Sequence, residues 1–454
     1  MREITSMHEL GRTKRLLIIA HQFPPIAGGG VFRPLKFAQY LPKFGWEPVI
    51  LTVKPAPEDT LDTTLLTELS PSVMVHRVDY LHPKRIERLA LRIWLTLWRA
   101  RLRFVARKLE PFKVMRWLLP DAYFSWLLPG YLAARRVIRE HQIDVVMTTA
   151  PPFSSHMIGL GLRRTVGTPW IADYRDPWSQ NPFIKFPTIV HRMLVQRWDK
   201  AVMRSADIVL STTELMTANL LRLCDDRNED KVRTIWNGFD RTEFSAETIR
   251  GSQADRFVIS HVGSLYELRR ADGFLNVVQT LVDAGEIPSD RLNICFMGKD
   301  GTGVVQRYPD KPWFTHYDSA AHGEAIAQMN ASDVLLLLVN EGSEAQVPGK
   351  LYEYLASQKP ILAVAPPNSE AARIIQQTGM GIVVSHEEIS ALGTVLEQGY
   401  RKWKNGEPPF SIRPNAEIIN TFDRRSQAQQ LAKYLDELSP LYPCGSTTRL
   451  RNAR

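Results

Sequence analysis

The feature that most constrains the fold is an alternation of short apolar runs with longer helical patterns, which occurs in both halves of the chain. The run RLLIIA at 15–20 is followed by a Gly/Pro loop, by a segment with helical spacing of apolar residues, and by a second run, EPVILTV, at 47–53. Runs of the same kind follow at 143–149, 169–174 and 206–213. Strands that alternate with helices predict a parallel sheet in an α/β domain.

The second half repeats this pattern after a polar stretch at 245–256. Apolar runs occur at 257–264, 291–298, 333–339, 360–365 and 381–384, and a helical pattern covers Ser369–Gln377. A doubly wound domain binds its ligand at the carboxyl ends of its strands. The predicted fold class is therefore α/β, with two Rossmann-like doubly wound domains that face each other across a cleft.

A length of 454 residues fits this two-domain organisation. We expect an N-terminal domain at 1–245 with a basic amphipathic segment at 84–119, a linker at 246–256, a C-terminal domain at 257–415, a helix at 416–438 that packs back toward the N-terminal domain, and a flexible tail at 439–454.

The positive charge of the chain is concentrated in one segment. Between Lys84 and Arg116 there are eleven basic and two acidic residues, a surplus equal to the net charge of +9 of the whole chain. On a helix, the side chains of Arg85, Arg88, Arg92, Arg99, Arg103 and Arg107 fall within an arc of about 100°.

The opposite face of this helix carries Ile, Leu, Val, Phe and Trp side chains, a pattern typical of a helix that lies in a membrane interface. A spanning helix is excluded, because each mid-bilayer Arg costs roughly 2.5–3.5 kcal/mol. The alternative is that the apolar face packs on the N-terminal domain while the arginines are solvated. Nucleic-acid binding is disfavoured, because the basic residues are confined to this segment and no nucleic-acid-binding motif accompanies them.

Cysteine content and hydropathy indicate the compartment. The three cysteines, Cys224, Cys295 and Cys444, show neither CxxC spacing nor a His at a metal-ligand interval. No apolar run reaches the 18 or so residues that a membrane span needs. We expect a cytoplasmic protein with no metal site.

Two glycine loops are candidates for phosphate binding. Gly28–Gly30 follow the first strand and precede a helix, and a turn that needs positive φ is the alternative interpretation. Gly263 and Ser264 follow the first strand of the second half, with Arg269 and Arg270 at the start of the next helix. Guanidinium groups at such a position neutralise a diphosphate, although adjacent arginines are also common on a solvated helix.

The segment at 340–365, NEGSEAQVPGKLYEYLASQKPILAVA, carries the most specific pattern. Gly349 and Lys350 open a helix, and Glu353 lies one turn further on, where a carboxylate can accept two ribose hydroxyls. A P-loop is excluded for two reasons. Gly349 comes seven positions after Gly342, whereas the P-loop glycines are five apart, and the lysine is followed by Leu351 where a P-loop has Ser or Thr.

In order along the chain, these motifs resemble the GT-B glycosyltransferases of family 4, of the bacterial polysaccharide or glycolipid type. The resemblance covers nearly the whole length. It rests on FPPIAGGG, GTPWIADYRDPW, IWNGFD, HVGSLYELRRADGF, VPGKLYEYLASQKPILA and TGMGIVV.

The resemblance implies the roles of the site residues. The catalytic residues would be Asp173, Arg175 and Asp176, with Asp173 and Asp176 as a hydrogen-bonded pair of the catalytic loop. Donor binding would fall to Gly29, Gly30, Gly263, Ser264, Arg269, Arg270, Lys350, Leu351 and Glu353. The chain departs from the family at Ser264, where an Arg is frequent, and at Ala345, which stands eight residues before Glu353 in place of a Glu.

The implied function is transfer of a sugar from a nucleotide-diphosphate-sugar donor to a glycan or lipid-linked acceptor, with retention of configuration and without a metal or other cofactor. The expected partners are the donor, the acceptor and the anionic cytoplasmic face of a membrane, to which the protein would bind peripherally. The alternatives are a catalytically idle GT-B scaffold on the membrane, a nucleotide-sugar epimerase and a nucleic-acid-binding protein.

Overall fold

The computed structural model describes residues 13–99, 117–224, 229–244, 255–265, 271–308, 310–318, 320–342 and 344–439. These residues form two compact units: unit 1 comprises those up to Trp236 and those from Gln427 onward, and unit 2 comprises those within Asn237–Ser426. Several sequence-predicted features lie outside the described residues. They are most of the linker at 246–256, nearly all of the tail at 439–454, positions 100–116 of the basic segment, and both Arg269 and Arg270.

Unit 1 contains a seven-stranded parallel sheet. Its strands are β1 (Lys14–Ala20), β2 (Trp46–Val53), β3 (Met74–Val78), β4 (Val145–Ala150), β5 (Trp170–Tyr174), β6 (Ile208–Ser211) and β7 (Val232–Thr234). They lie in the order β3-β2-β1-β4-β5-β6-β7. The described helices are α1 (Phe32–Tyr40), α2 (Pro83–Arg99), α3 (Leu127–Glu140), α4 (Ser154–Thr165), α5 (Ile189–Ser205) and α6 (Glu214–Cys224).

The central strand β1 is apolar throughout its second half because helices cover both faces of the sheet. Leu17 and Ile19 point into a core layer on one face, and Leu16 and Ile18 point into a second layer on the other. The second layer also contains Leu431 of the last described helix, so residues distant in sequence share one core.

Unit 2 contains a six-stranded parallel sheet. Its strands are β8 (Phe257–Val262), β9 (Leu292–Met297), β10 (Phe314–Tyr317), β11 (Val334–Leu338), β12 (Ile361–Val364) and β13 (Gly381–Val384), in the order β10-β9-β8-β11-β12-β13. The helices are α7 (Asp272–Asp283), α8 (His322–Ala331), α9 (Gly349–Ser357), α10 (Glu370–Thr378), α11 (Ile389–Lys404) and α12 (Ala416–Thr421). A further helix, α13 (Arg424–Leu438), begins in unit 2 and ends in unit 1.

Both sheets have the strand order of doubly wound folds, and this confirms the predicted α/β class with two Rossmann-like domains. In each sheet the order reverses at one place, between β1 and β4 in unit 1 and between β8 and β11 in unit 2. Ligands of such sheets bind in the crevice at this switch point, outside the carboxyl ends of the strands. The glycine loops after β1 and β8 both lie at these positions.

Two details differ from the sequence-based expectation. The single helix expected at 416–438 is two helices, α12 and α13, and the Asp423 side chain accepts a hydrogen bond from the Arg425 N–H where the second one starts. Strands β3, β7 and β10 were not predicted, and all three are edge strands. None of the described helices is long and apolar enough to cross a bilayer.

Candidate functional site

Arg175 connects three loops at the carboxyl edge of the sheet in unit 1. It directly follows β5, and its guanidinium donates hydrogen bonds to the carbonyl oxygens of Gly30, Ala150 and Pro151. These carbonyls belong to the glycine loop after β1 and to the end of β4. Arg175 therefore positions the glycine loop through backbone contacts, and its predicted catalytic role stays a prediction.

The space beside the Cα of Gly30 is occupied by the ends of two side chains. A Cβ on Gly30 would overlap with the side chains of Gln22 and Arg175, whereas a Cβ on Gly29 would have no neighbour within 4 Å. The two glycines that the sequence grouped together thus have different surroundings. Only Gly30 is in close contact with the residues that line this edge.

Asp173, the first of the predicted catalytic residues, is fully buried. Its carboxylate accepts hydrogen bonds from the Arg33 guanidinium, with 2.8 Å between Oδ1 and Nη2, and the Arg33 side chain is 2% exposed. Arg33 also donates to the carbonyl oxygen of Trp236. Asp173 thus forms a buried ion pair with Arg33, which connects β5 to α1, and its expected pairing with Asp176 stays a prediction.

Asp176 is the predicted catalytic carboxylate that remains closest to the surface at this edge. Burial raises the pKa of its carboxyl, and the neighbouring Arg175 opposes this effect. A carboxyl group in such surroundings can hold a proton more readily than one in water. Its role in catalysis stays a prediction.

In unit 2, two glycine backbones meet at the carboxyl ends of β8 and β9. A Cβ on Gly298 would lie 2.5 Å from the carbonyl carbon of Gly263 and 2.9 Å from the Ser264 nitrogen, and both glycines have positive φ. No other residue fits at Gly298 without moving the loop. The close approach gives Gly263 and Ser264 an open backbone of the kind that phosphate groups bind.

Helix α9 brings a cation and a carboxylate to this loop. The Lys350 Nζ lies 2.7 Å from the Glu353 Oε2, and the Lys350 Cγ would be 3.7 Å from a Cβ placed on Gly263. The helix is fixed to β8 by Tyr354, whose hydroxyl accepts the Val262 N–H. The predicted donor residues Gly263, Lys350 and Glu353 are therefore brought together.

Leu351 was predicted to bind the donor, and this role stays a prediction. Its side chain is fully buried in unit 2, because the helical period turns it away from Lys350 and Glu353. Its contribution to this region is packing. The predicted donor residues Arg269 and Arg270 lie outside the described residues.

The sequence reasoning missed a second ion pair next to α9. His322 is the first residue of α8, and its Nε2 lies 3.0 Å from the Glu243 Oε2. This hydrogen bond raises the pKa of the imidazole. The charges of Glu353 and Lys350 also act on His322. Glu243 and His322 are 79 residues apart, so no local pattern could have paired them.

Glu344 explains the shape of the loop between β11 and α9. Its carboxylate accepts a hydrogen bond from the Gly342 N–H and its carbonyl oxygen accepts one from the Glu370 N–H, so it holds this loop against the start of α10.

Within the described residues, no group of three His, Cys, Asp or Glu side chains is arranged to hold a metal ion.

Two doubly wound parallel sheets, each with a glycine loop at its switch point, define the GT-B class of glycosyltransferase fold. Residues 28–238 match the family model described as the glycosyl transferase 4-like domain. This match confirms the resemblance to family 4 glycosyltransferases. A comparison with curated proteins finds no significant match.

Solved structures with the same fold cover nearly the whole chain. Sucrose-phosphate synthase from Thermosynechococcus elongatus is 16% identical, with a TM-score of 0.66 over 94% of this chain and 100% of that one. Anabaena HepE, solved in complex with UDP-glucose, is 14% identical, with a TM-score of 0.58 over 93% and 99%. A putative UDP-N-acetylglucosamine 2-epimerase from Listeria monocytogenes is 11% identical, with a TM-score of 0.53 over 95% and 98%. At such identities the likeness concerns the fold alone.

Proposed function

We propose that this protein transfers a sugar from a nucleotide-diphosphate-sugar donor to a glycan or lipid-linked acceptor, with retention of configuration and without a metal. The proposal rests on one observation in unit 2: Lys350, which is paired with Glu353, lies beside the open backbone at Gly263. An ammonium group beside two glycine backbones suits a diphosphate, and a carboxylate one helical turn away suits ribose hydroxyls.

The chemistry follows from charge at the leaving group. A nucleoside diphosphate that departs from a sugar gains negative charge, which Lys350 stabilises together with the arginines predicted at 269 and 270. The departing phosphate then accepts the proton of the acceptor hydroxyl. Such a reaction needs positioning and positive charge more than a pair of catalytic carboxylates.

Donor binding is tested by thermal shift over nucleoside diphosphates and nucleotide-sugars. A ligand present at about 100 times its dissociation constant adds about 2.7 kcal/mol of stability. We expect one nucleotide to be preferred, and Glu353→Ala to abolish its shift. Glu417→Ala, a change at an exposed Glu in the first turn of α12, should keep the shift. Equal shifts in both variants, or no preference among nucleotides, would contradict the proposal.

We also propose that the protein acts at an anionic membrane surface, and α2 supports this. None of its 17 residues is buried, and the exposed side chains include Leu89, Ile93 and Trp98. The alternative, in which the apolar face of α2 packs on the domain, would bury side chains of α2, and none of them is buried. Apolar side chains beside solvated arginines are the pattern of an interfacial helix.

Unit 1 exposes further apolar side chains near the end of the basic segment. Trp117 contacts His191 edge to face, with 5.1 Å between the ring centroids. His191 lies in the first turn of α5, where Ile189, Val190 and Met193 are exposed. An exposed apolar patch of this kind indicates an interaction surface. It is a second exposed apolar surface in unit 1, besides that of α2.

Vesicle flotation tests the membrane proposal. Arg85 and Arg88 contact Glu58, so the variant reverses Arg92 and Arg99, which are exposed, to Glu. Each basic residue contributes about 1 kcal/mol near an anionic leaflet, so partitioning onto phosphatidylglycerol vesicles should fall about thirtyfold or more.

The matched control reverses Lys402 and Lys404, two exposed lysines at the end of α11, and makes the same change of net charge in unit 2. This control should float like the unmodified protein. Partitioning that is equal in both variants would refute an interfacial role for α2.

The epimerase alternative shares the fold, as the Listeria neighbour illustrates. The family match in the first half favours transfer. Incubation of the preferred nucleotide-sugar without acceptor separates the two, because an epimerase converts it to its epimer and a transferase does not. If the protein binds a nucleotide but transfers no sugar to any acceptor tested, the catalytically idle scaffold would be favoured.

A further inference from the structure

One carboxylate of unit 1 contacts two arginines of the basic helix α2. The Glu58 Oε1 lies 3.4 Å from the Arg85 Nε, and the same oxygen contacts the Arg88 Nη2. The Lys84 ammonium donates a hydrogen bond to the backbone carbonyl oxygen of Glu58, at 3.0 Å. We call Glu58, Arg85 and Arg88 the Glu58 cluster. It joins the loop after β2 to the first two turns of α2.

The carboxylate of the Glu58 cluster is mostly covered, whereas its guanidinium groups reach solvent. The Glu58 side chain is 12% exposed, and those of Arg85 and Arg88 are 48% and 59% exposed. A guanidinium carries five N–H donors, and one carboxylate oxygen shared by two such groups satisfies few of them. Both arginines can therefore bind a further anion from the solvent side.

A hollow beside the Glu58 cluster has room for such an anion. Its volume is about 430 Å³, and Lys84, Arg88 and Leu91 line it together with Glu58 and Glu87. The two cations favour a phosphate, and the apolar Leu91 one turn after Arg88 suits the boundary between headgroups and acyl chains. The two carboxylates oppose an anion at the same place.

The start of α2 is held by contacts that do not involve the Glu58 side chain. The Nε2 of the buried His82 lies 3.3 Å from the Asp59 Oδ1, and its Nδ1 accepts a hydrogen bond from the Lys84 N–H. Loss of the Glu58 contacts would therefore release the two arginines without detaching the helix.

The magnitudes indicate that a membrane can compete with Glu58. An exposed ion pair contributes up to about fivefold to an equilibrium constant. A basic residue near an anionic leaflet contributes about fivefold as well. Guanidinium groups bind phosphates through paired, charge-assisted hydrogen bonds, and a leaflet presents many phosphates to two arginines that share one carboxylate oxygen.

We propose that Glu58 restrains the membrane binding of α2, and that phosphates of an anionic leaflet replace its carboxylate as the partners of Arg85 and Arg88. The proposal rests on the membrane role proposed above and adds a residue that regulates it. The restraint arises because the exchange leaves a mostly covered carboxylate with only Lys84 nearby as a cation. The partner is an anionic phospholipid.

Vesicle flotation of the full chain tests the proposal with Glu58→Gln, which keeps the length of the side chain and the carbonyl that Lys84 contacts. Partitioning onto phosphatidylglycerol vesicles should rise about fivefold or more, and partitioning onto phosphatidylcholine vesicles should stay unchanged. The matched control is Glu437→Gln, which makes the same change of charge and releases Arg233. Arg233 lies in the edge strand β7, whereas α2 follows the opposite edge strand β3, so this control should float like the unmodified protein.

Two further variants separate the Glu58 contacts from net charge. In a chain that carries Arg85→Gln and Arg88→Gln, the additional change Glu58→Gln should alter partitioning by at most about twofold, because the cations that Glu58 restrains are gone. Glu58→Asp keeps the charge but withdraws the carboxylate by one methylene, so it should also raise partitioning. It carries the test if urea unfolding shows that Glu58→Gln does not fold.

Equal flotation of Glu58→Gln and the unmodified protein would overturn the proposal, as would an equal gain in Glu437→Gln or in the chain without the two arginines. Weaker flotation of Glu58→Gln would overturn it too, because Glu58 would then support membrane binding. If neither the unmodified protein nor Glu58→Gln floats with phosphatidylglycerol vesicles, the membrane role itself is refuted, and the restraint with it.

Discussion

Acidification should destabilise unit 1 through His156, a fully buried residue of α4. Its Nδ1 lies 2.8 Å from the Thr148 Oγ1, and burial lowers the pKa of the ring from 6.5 to about 3. The folded ring is therefore neutral at a pH where the unfolded chain binds a proton. Stability is complete above about pH 6.5 and decreases as the pH falls toward 3.

The magnitude follows from the shift. A pH of about 5 lies roughly 1.5 units below the ordinary pKa of histidine, so protonation stabilises the unfolded chain but not the folded one. The free energy of unfolding therefore falls by roughly 2 kcal/mol relative to neutral pH. This is a large share of the 5–15 kcal/mol or so that stabilises a typical domain. His156→Phe removes the titration, and Thr148 retains the hydrogen bond from the Trp170 indole N–H.

The assay is urea unfolding at about pH 7.5 and about pH 5, followed by tryptophan fluorescence. Nine of the eleven tryptophans lie at or before Trp236, so the signal reports mainly on unit 1. The loss of stability between the two pH values should be about 2 kcal/mol smaller in His156→Phe, because carboxylates and His21 titrate equally in both proteins. An equal loss in both would refute the assignment of a buried neutral His156.

Two further predictions concern the same unit. Gly30→Ala should displace Arg175 and lower kcat/KM for transfer by about tenfold or more, whereas Gly393→Ala, in helix α11 of unit 2 where the added Cβ would meet only Val277 at 3.7 Å, should keep it; equal kinetics would contradict the positioning role. Arg33→Met should lower the free energy of unfolding by about 3–5 kcal/mol, because it leaves the Asp173 carboxylate buried without its cation. An unchanged urea midpoint would argue against the ion pair.

The sequence predicted the strands that are continuous apolar runs and missed three of the four edge strands. Strands such as β1 and β11 are continuous apolar runs, because helices cover them on both sides. The edge strands β3, β7 and β10 read MVHRV, VRT and FTHY, and most of their residues are only partly buried. These three edge strands contain polar residues, so no apolar run distinguishes them from loops. The fourth edge strand, β13, reads GIVV and was predicted from its apolar run.

The candidate site was predictable where its residues are close in sequence. Gly349, Lys350 and Glu353 lie within one helical turn or so, and the structure brings the last two to the loop at Gly263. Glu243 and His322 were not predicted, because they are 79 residues apart in sequence and meet only in the folded chain. The burial of Leu351 was likewise readable from the helical period, although the resemblance placed it at the donor site.

The sequence by itself determined that the chain forms two parallel α/β sheets with glycine loops after their first strands, because strand length, helical period and glycine turns are local properties. The tertiary structure alone decided which polar groups meet. Arg33 and Asp173 are 140 residues apart, and Arg175 and Gly30 are 145 residues apart. Their contacts depend on the order in which strands pair across the sheet, and the preferences of neighbouring residues do not specify this order.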